Sequence, residues 1–388
     1  MRVVVDARSA VDPRRTGVGR YTRAMLRYLP PVDRDADYVA WYLDVRGIGS
    51  TSTRFADWSR NLSERATRVP TRVFGPLALR TGLPRLEWLA GASDVVFAPN
   101  FIPPPTNASR LILVVHDLAF DVMPETAPHQ DARWRRRFER SLVRAAAVIV
   151  PSEAVRSDLA RFHGTPTERV HVIHHGTDAE AFSPASPPEV EDVRRRFGIP
   201  GPYIVFLGGL EPRKNLETLV RAFGMLDDAR CGLVLSGGTV PWAKGYAERI
   251  DRAIAELPPG VAARVVRTGY VPDQDRRALL SGAEVLAYPS LSEGFGFPIL
   301  EGFAANVPVL TSNRSAMPET AGNAALLVDP EDPSSIAEGL GQLLGDDDLR
   351  NVLRAAGIAR VASFTWERCA RRTVEVLHET ASDAVEVD

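Results

Sequence analysis

Two glutamates, Glu293 and Glu301, are separated by seven residues in the run Ser292-Glu293-Gly294-Phe295-Gly296-Phe297-Pro298-Ile299-Leu300-Glu301. The apolar stretch Val285-Leu286-Ala287-Tyr288-Pro289 before it reads as a buried strand. Pro298 suits the first turn of a helix, where its missing N–H is not needed. The segment therefore reads as strand, glycine-rich turn and helix N-terminus, with one acid on the loop and one about a turn into the helix. Free N–H groups and the positive end of the helix dipole attract an anion. The two carboxylates accept hydrogen bonds from hydroxyls. Phosphate donors beside hydroxyl acceptors suit a nucleotide sugar.

Other residues fit the same chemistry. Gly208-Gly209-Leu210-Glu211-Pro212-Arg213-Lys214-Asn215 follows the strand candidate Tyr203–Leu207. Arg213 and Lys214 would sit near a helix N-terminus, where the dipole disfavours cations, so two in a row need a reason. A bound diphosphate supplies one; a solvated turn is the plain alternative. Arginine carries nearly all the basic charge, and lysine occurs only at Lys214 and Lys244. A lysine in such a background can mark a site that wants a compact point charge. Near the start, Thr16-Gly17-Val18-Gly19-Arg20-Tyr21-Thr22 could bring backbone N–H groups to a phosphate. Thr22 breaks the dinucleotide fingerprint there, as Ile299 does after Gly294-x-Gly296. A tight turn explains the glycine pair equally well. His116-Asp117 ends a strand candidate, where the imidazole could bond a sugar hydroxyl or move a proton, or simply be satisfied by backbone. His174-His175 reads as structural. Asp346-Asp347-Asp348 reads as an N-cap with acids in the first helical turn rather than a metal site.

These residues must be positioned by alternating strands and helices. Strand candidates in the first half are Arg2–Asp6, Tyr38–Asp44, Asp94–Pro99, Leu111–His116, Ala147–Pro151 and Val170–His174. In the second half they are Tyr203–Leu207, Gly232–Ser236, Arg264–Thr268, Val285–Tyr288, Val307–Thr311 and Ala325–Val328. Between them lie amphipathic stretches such as Asn215–Leu226, with Leu216, Leu219, Val220, Phe223 and Leu226 on one stripe. Apolar strands separated by helices imply parallel sheets covered on both faces. The pattern occurs twice, giving two doubly wound, Rossmann-like domains: residues 1–180, a Pro/Ser-rich linker over 181–200, residues 201–365, and a C-terminal helix and tail over 366–388. Two such domains facing each other place strand ends around an interdomain cleft, where open α/β sheets bind ligands. The stretch Thr51–Leu89 has no clear pattern.

Composition narrows the function further. The 388 residues, 45% hydrophobic and 25% charged, describe a globular chain with two cores. A net charge of -2 gives no overall pull toward nucleic acid. No apolar run reaches the roughly 20 residues that span a bilayer, and Met1-Arg2-Val3-Val4-Val5-Asp6 enters a strand without a signal-peptide core. Two cysteines, Cys231 and Cys369, fit a reducing cytoplasm. The basic, aromatic run Arg133-Trp134-Arg135-Arg136-Arg137-Phe138 could dock on an anionic lipid surface or a lipid-linked acceptor. The alternative is a helix with its aromatics inward and its arginines in water.

Together these motifs resemble the retaining glycosyltransferases of GT-B architecture, in the group 1 (family 4) type that includes bacterial mannosyl- and glucosyltransferases. The resemblance runs from Arg8 and Thr16–Tyr21 through His116-Asp117 and Glu211–Asn215 to Glu293-x7-Glu301. It implies that Gly17 approaches the distal phosphate and that Arg213 and Lys214 neutralise the diphosphate. Glu293 would hold donor-sugar hydroxyls with help from the main chain of Phe295, Gly296 and Phe297, Glu301 would bind the ribose, and His116 would lie beside the transferred sugar. It implies no metal and no cofactor beyond the nucleotide-diphosphate sugar as co-substrate. Many relatives carry an arginine where this chain has Gly208-Gly209, and Arg213 is the candidate replacement. Val114–Phe120 and Glu211–Asn215 look most like relatives using GDP-mannose. The expectation is metal-independent hexosyl transfer to a hydroxyl acceptor, lipid-linked or a glycan, in glycoconjugate or polysaccharide synthesis, in the cytoplasm or at the inner face of the membrane. Two alternatives share the architecture: a nucleotide-sugar epimerase and a non-catalytic sugar-binding protein.

Overall fold

The computed structural model describes residues 1–12, 16–44, 54–69, 74, 81–108, 110–127, 130–228 and 230–382. The chain divides into two compact units. The first contains β1 (Arg2–Asp6), β2 (Asp37–Leu43), β3 (Leu62–Thr67), β4 (Val95–Ala98), β5 (Leu111–Val114), β6 (Ala147–Val150) and β7 (Val170–Val172). They form one sheet in the order β3-β2-β1-β4-β5-β6-β7. The second contains β8 (Tyr203–Leu207), β9 (Gly232–Ser236), β10 (Val265–Gly269), β11 (Val285–Tyr288), β12 (Val309–Ser312) and β13 (Leu326–Val328), in the order β10-β9-β8-β11-β12-β13. Every pairing in both sheets is parallel.

The inner strands are apolar because both faces of a parallel sheet are covered. Val3, Val4 and Val5, Val95–Ala98, Leu111–Val114, Tyr203–Leu207 and Val285–Tyr288 are all buried. Each sheet reverses its order beside its first strand, between β1 and β4 and between β8 and β11. Such a reversal leaves a crevice at the carboxyl ends of the strands, where ligands of open α/β sheets bind.

The structure adds detail in four places. The Thr51–Leu89 stretch, left without a pattern, contains β3 among its described residues. Its sequence, Leu-Ser-Glu-Arg-Ala-Thr, lacks an apolar run because it is an edge strand with only Leu62 buried. The Ser183–Pro188 run is not a free linker. Ser186 and Glu189 form a capping box for the helix Pro187–Phe197, which packs on the helix Asp273–Ser281 of the second unit. The last helix, Trp366–Ser382, does not stand apart after the second unit but counts with the first, against the helix Gly17–Val32. The segment that starts at Leu118 in turn counts with the second unit.

The loops that follow β8 and β9 run side by side. Leu210 N–H donates to Gly238 O at 3.0 Å, and Gly208 N–H to Ser236 O at 2.9 Å. A Cβ on Gly237 would lie 1.7 Å from Gly208 O, so only glycine permits this approach. Gly237→Ala is expected to destabilise the second unit by roughly 2–3 kcal/mol through forced backbone displacement, read as a lowered denaturant midpoint. An unchanged midpoint would show that the loops separate freely.

Candidate functional site

The best-defined site lies at the β8/β11 reversal. After β8 the chain passes Gly208, where a Cβ would come within 3.1 Å of Lys214 Nζ, so glycine leaves room for the lysine. Pro212–Lys214 form a 3-10 turn. Asn215 then takes a left-handed conformation (φ 63°) and starts the helix Leu216–Gly224. Its amide holds that bend by donating to Pro289 O (3.2 Å) and Pro330 O (2.5 Å). Leu291 N–H donates to Arg213 O at 2.8 Å, tying the turn to the loop after β11.

Glu293 meets both cations. Its Oε2 lies 2.6 Å from Arg213 Nη1 and its Oε1 3.2 Å from Lys214 Nζ. Tyr288, the last residue of β11, sits between them: Lys214 Nζ donates to its hydroxyl at 2.9 Å, and that hydroxyl donates to Glu293 Oε1 at 2.6 Å. Arg213 is also held by Glu211 Oε2 (2.9 Å) and Ser292 O (3.1 Å). The Arg213, Lys214 and Glu293 side chains are only 15%, 10% and 11% exposed. Burial alone would favour neutral Glu293, but Arg213 and Lys214, with the Tyr288 hydroxyl, hold its pKa down to about 2. Burial likewise opposes a charged Lys214, and the Glu293 carboxylate outweighs it and raises the ammonium. The expected pair of cations thus already carries an internal counter-anion.

Beyond Glu293, the turn ends at Gly296 (φ 92°), which opens the helix Phe297–Ala304 with Pro298 in its first turn. Phe295 is buried edge-on to Phe297 and Phe364. Glu301 is 1% exposed and is bonded by Arg276 Nη2 at 2.7 Å. It therefore lies in the second unit with Arg213, Lys214 and Glu293, but in a separate ion pair.

Gly17 and His116 belong to the first unit. Gly17 is exposed at the start of its helix, where Thr16 caps the N–H of Gly19. Gly19 is explained by packing: a Cβ there would meet Ser9 O at 2.7 Å. His116 Nε2 lies 3.0 Å from Pro99 O, and its Nδ1 lies 3.1 Å from His175 Nε2. A carbonyl only accepts, so Nε2 of neutral His116 carries the proton and its Nδ1 accepts from His175. Burial lowers the pKa of both rings, and the mutual repulsion adds to that of His175. For His116 to bond a sugar hydroxyl, one of these two contacts must be exchanged. The triple aspartate behaves as an N-cap: Asp346 accepts from Leu349 N–H at 2.8 Å.

Sequence reasoning missed Tyr288 and Arg276, and it named Glu211 and His175 without the contacts they make. Tyr288 reads as core in an apolar strand, and Arg276 pairs with a residue 25 positions away. The one usable signal was local: Glu211 two residues before Arg213.

Family models match both halves of the chain: "Glycosyltransferase Family 4" over residues 15–181 and "Glycosyl transferases group 1" over residues 190–360. O-antigen chain mannosyltransferase B of Escherichia coli is 32% identical over 374 residues, 92% of this chain and 95% of that protein. A D-inositol 3-phosphate glycosyltransferase of Corynebacterium urealyticum is 30% identical over 64% of this chain and 60% of its own length. Among solved structures, Anabaena Alr3699/HepE in complex with UDP and glucose superposes with a TM-score of 0.72 at 17% identity, covering 98% of this chain and 100% of that one. Sucrose-phosphate synthase from Thermosynechococcus elongatus gives 0.73 at 20%, covering 98% of each chain. The fold is GT-B.

Because the pKa of Glu293 is depressed, its ionised form stabilises the fold above its ordinary value of 4.5. That contribution drains away as pH falls toward about 2. Glu293→Gln leaves two buried cations without their partner and is expected to melt several degrees lower at neutral pH. The gap to wild type should narrow as pH drops through this window. A gap independent of pH would show that the carboxylate charge does not hold the cluster.

Proposed function

The chain belongs to the group 1, family 4 glycosyltransferases, and on that premise we propose that it moves mannose from GDP-mannose to a hydroxyl acceptor with retention of configuration. The observation that carries this reading is the Arg213–Lys214–Glu293 cluster at the β8/β11 reversal. The mannosyl choice is supported by the relative that matches over 92% of this chain. Arg213 and Lys214 face the diphosphate, and Glu293 exchanges part of its contact with them for hydroxyls of the donor sugar. Glu301, aimed by Arg276, binds the ribose. Gly17 N–H approaches the distal phosphate, the main chain of Phe295, Gly296 and Phe297 supports the sugar, and His116 lies beside it.

In the reaction the bond from C1 to the phosphate oxygen breaks while the acceptor oxygen bonds C1 on the same face. The electron pair goes to the leaving phosphate, and the acceptor proton passes to a phosphate oxygen. Cations already in place stabilise the growing charge more in the transition state than in the ground state. They take the part that a metal ion plays elsewhere.

Lys214→Ala should lower turnover about 10²–10³-fold, measured as GDP release with an acceptor present, whereas EDTA should leave the wild-type rate unchanged. Glu293→Gln should bind GDP severalfold more tightly, because the internal competitor for both cations is gone, yet transfer more slowly. Near-normal turnover of Lys214→Ala would remove the diphosphate role. Weaker GDP binding by Glu293→Gln would remove the competition.

The acceptor is lipid-linked in this reading, supported by the helix Ala132–Arg144. Trp134 and Phe138 stack at 5.8 Å, with Phe138 buried, so the aromatics turn inward. Arg133, Arg136, Arg137 and Arg140 share the other face at helical spacing, and none makes an ion pair among the described residues. No helix among the described residues is long and apolar enough to cross a membrane. At about 1 kcal/mol per basic residue near an anionic surface, changing all four to Gln should weaken co-sedimentation with phosphatidylglycerol vesicles roughly hundredfold or more. Equal sedimentation of both proteins would count against docking through this face.

A further inference from the structure

Lys244, the second of the two lysines, takes no part in the cluster just described. It lines a cavity of about 480 Å³ in the second unit, with Pro212, Trp242, Tyr246, Arg249 and Glu125. That volume lies within the range of small-molecule sites. A second hollow of about 450 Å³ shares Lys244 and Arg249 with the first and adds Glu217 and Arg252. The cavity opens at the carboxyl ends of β8 and β9, in the loops that Gly237 lets approach, and Pro212 directly precedes Arg213. We propose that this groove is a subsite for a neutral oligosaccharide, which holds the sugar units of the acceptor behind the one being extended. This rests on the transferase reading above.

The lining selects that ligand class. Glu125 can accept hydrogen bonds from hydroxyls, and the exposed Lys244 ammonium can donate them, since it makes no ion pair among the described residues. The half-buried Trp242 lines the cavity with an indole, a side chain whose apolar body and polar N–H suit the mixed surface of a pyranose. In the first cavity an anion is a poorer match: Glu125 stands on its wall, and Arg249 is already neutralised by Glu217 through contacts of 2.6 and 3.1 Å, whereas the second hollow is the more basic, with Arg221 and Arg252 beside Glu217 and Glu256. A lipid chain is poorer too, because polar and apolar surface are mixed along the walls instead of forming one continuous apolar face. The walls are also fixed in place. Arg249 lies over the Tyr246 ring at 5.4 Å, and the Tyr246 hydroxyl accepts from Leu216 N–H at 3.0 Å, so groove and donor turn share one frame. Two hollows that share Lys244 and Arg249 in their walls lie next to each other, with volume for more than one sugar ring.

The test compares methyl α-mannoside with a methyl α-mannotrioside on wild type, Trp242→Ala and Lys244→Gln. In the wild type the trisaccharide should have a KM about tenfold below that of the monosaccharide, and each variant should lose most of that gain. Saturation-transfer NMR on the GDP-loaded protein should show contact with the trisaccharide that falls at least several-fold in each variant. Lys244→Gln changes an exposed side chain, so it tests the groove even if Trp242→Ala folds poorly. A wild type without any chain-length gain, or variants that keep both the gain and the NMR contact, would overturn the proposal. If no hexose leaves any nucleotide sugar, the transferase reading fails instead, and the NMR comparison still judges the groove.

Discussion

A carboxylate held between an ammonium and a guanidinium, out of water, is the constraint on which the second unit's site depends. Burying Arg213 and Lys214 together without Glu293 would be costly, because each charge would lose its hydration and repel its neighbour. With Glu293 between them the two cations can be stored facing a crevice. Tyr288 completes the arrangement by donating to one partner and accepting from the other. Much of the local backbone serves this grouping: Gly208 gives the lysine its space, and Asn215 turns the chain sharply after it. For the diphosphate role proposed above the cluster must be able to release positive charge, whereas the protein alone is more stable with that charge neutralised. The internal carboxylate reconciles the two demands.

The sheets were legible in the sequence because parallel strands buried on both faces read as unbroken apolar runs. Arg2–Asp6, Tyr203–Leu207, Gly232–Ser236 and Val285–Tyr288 match the structure residue for residue. β3 was illegible for the complementary reason, since an edge strand with one buried side chain keeps a polar sequence. Ser183–Pro188 misled because serine followed by prolines marks a helix start as well as a linker. The site was half legible. Spacing and glycine content drew attention to Glu293 and Glu301, and the helix dipole and the scarcity of lysine to Arg213 and Lys214, but Tyr288 and Arg276, which bond them, come from other elements. A tyrosine in an apolar strand reads as core until its hydroxyl is seen between two charges.

In the first unit the histidines illustrate how a carbonyl can set a proton's position at a distance. Pro99 O fixes the tautomer of His116, which fixes that of His175. Burial lowers the pKa of both rings, which favours their neutral forms and with them this order. Tyr21 and Trp366 pack against His175, tying the pair to the first and last long helices of the chain.

The two units are interlaced along the sequence. The chain leaves the first unit at Leu118, comes back to it, departs again at Thr177 and finally returns with Trp366–Ser382. No single cut therefore yields two complete halves: a fragment ending near Gly176 would lack the helix that covers Gly17–Val32. Recombination between relatives meets the same obstacle. A chimera that exchanges the second unit must keep the native C-terminal helix with its own N-terminal partner, or the crossover will bare an apolar helix face.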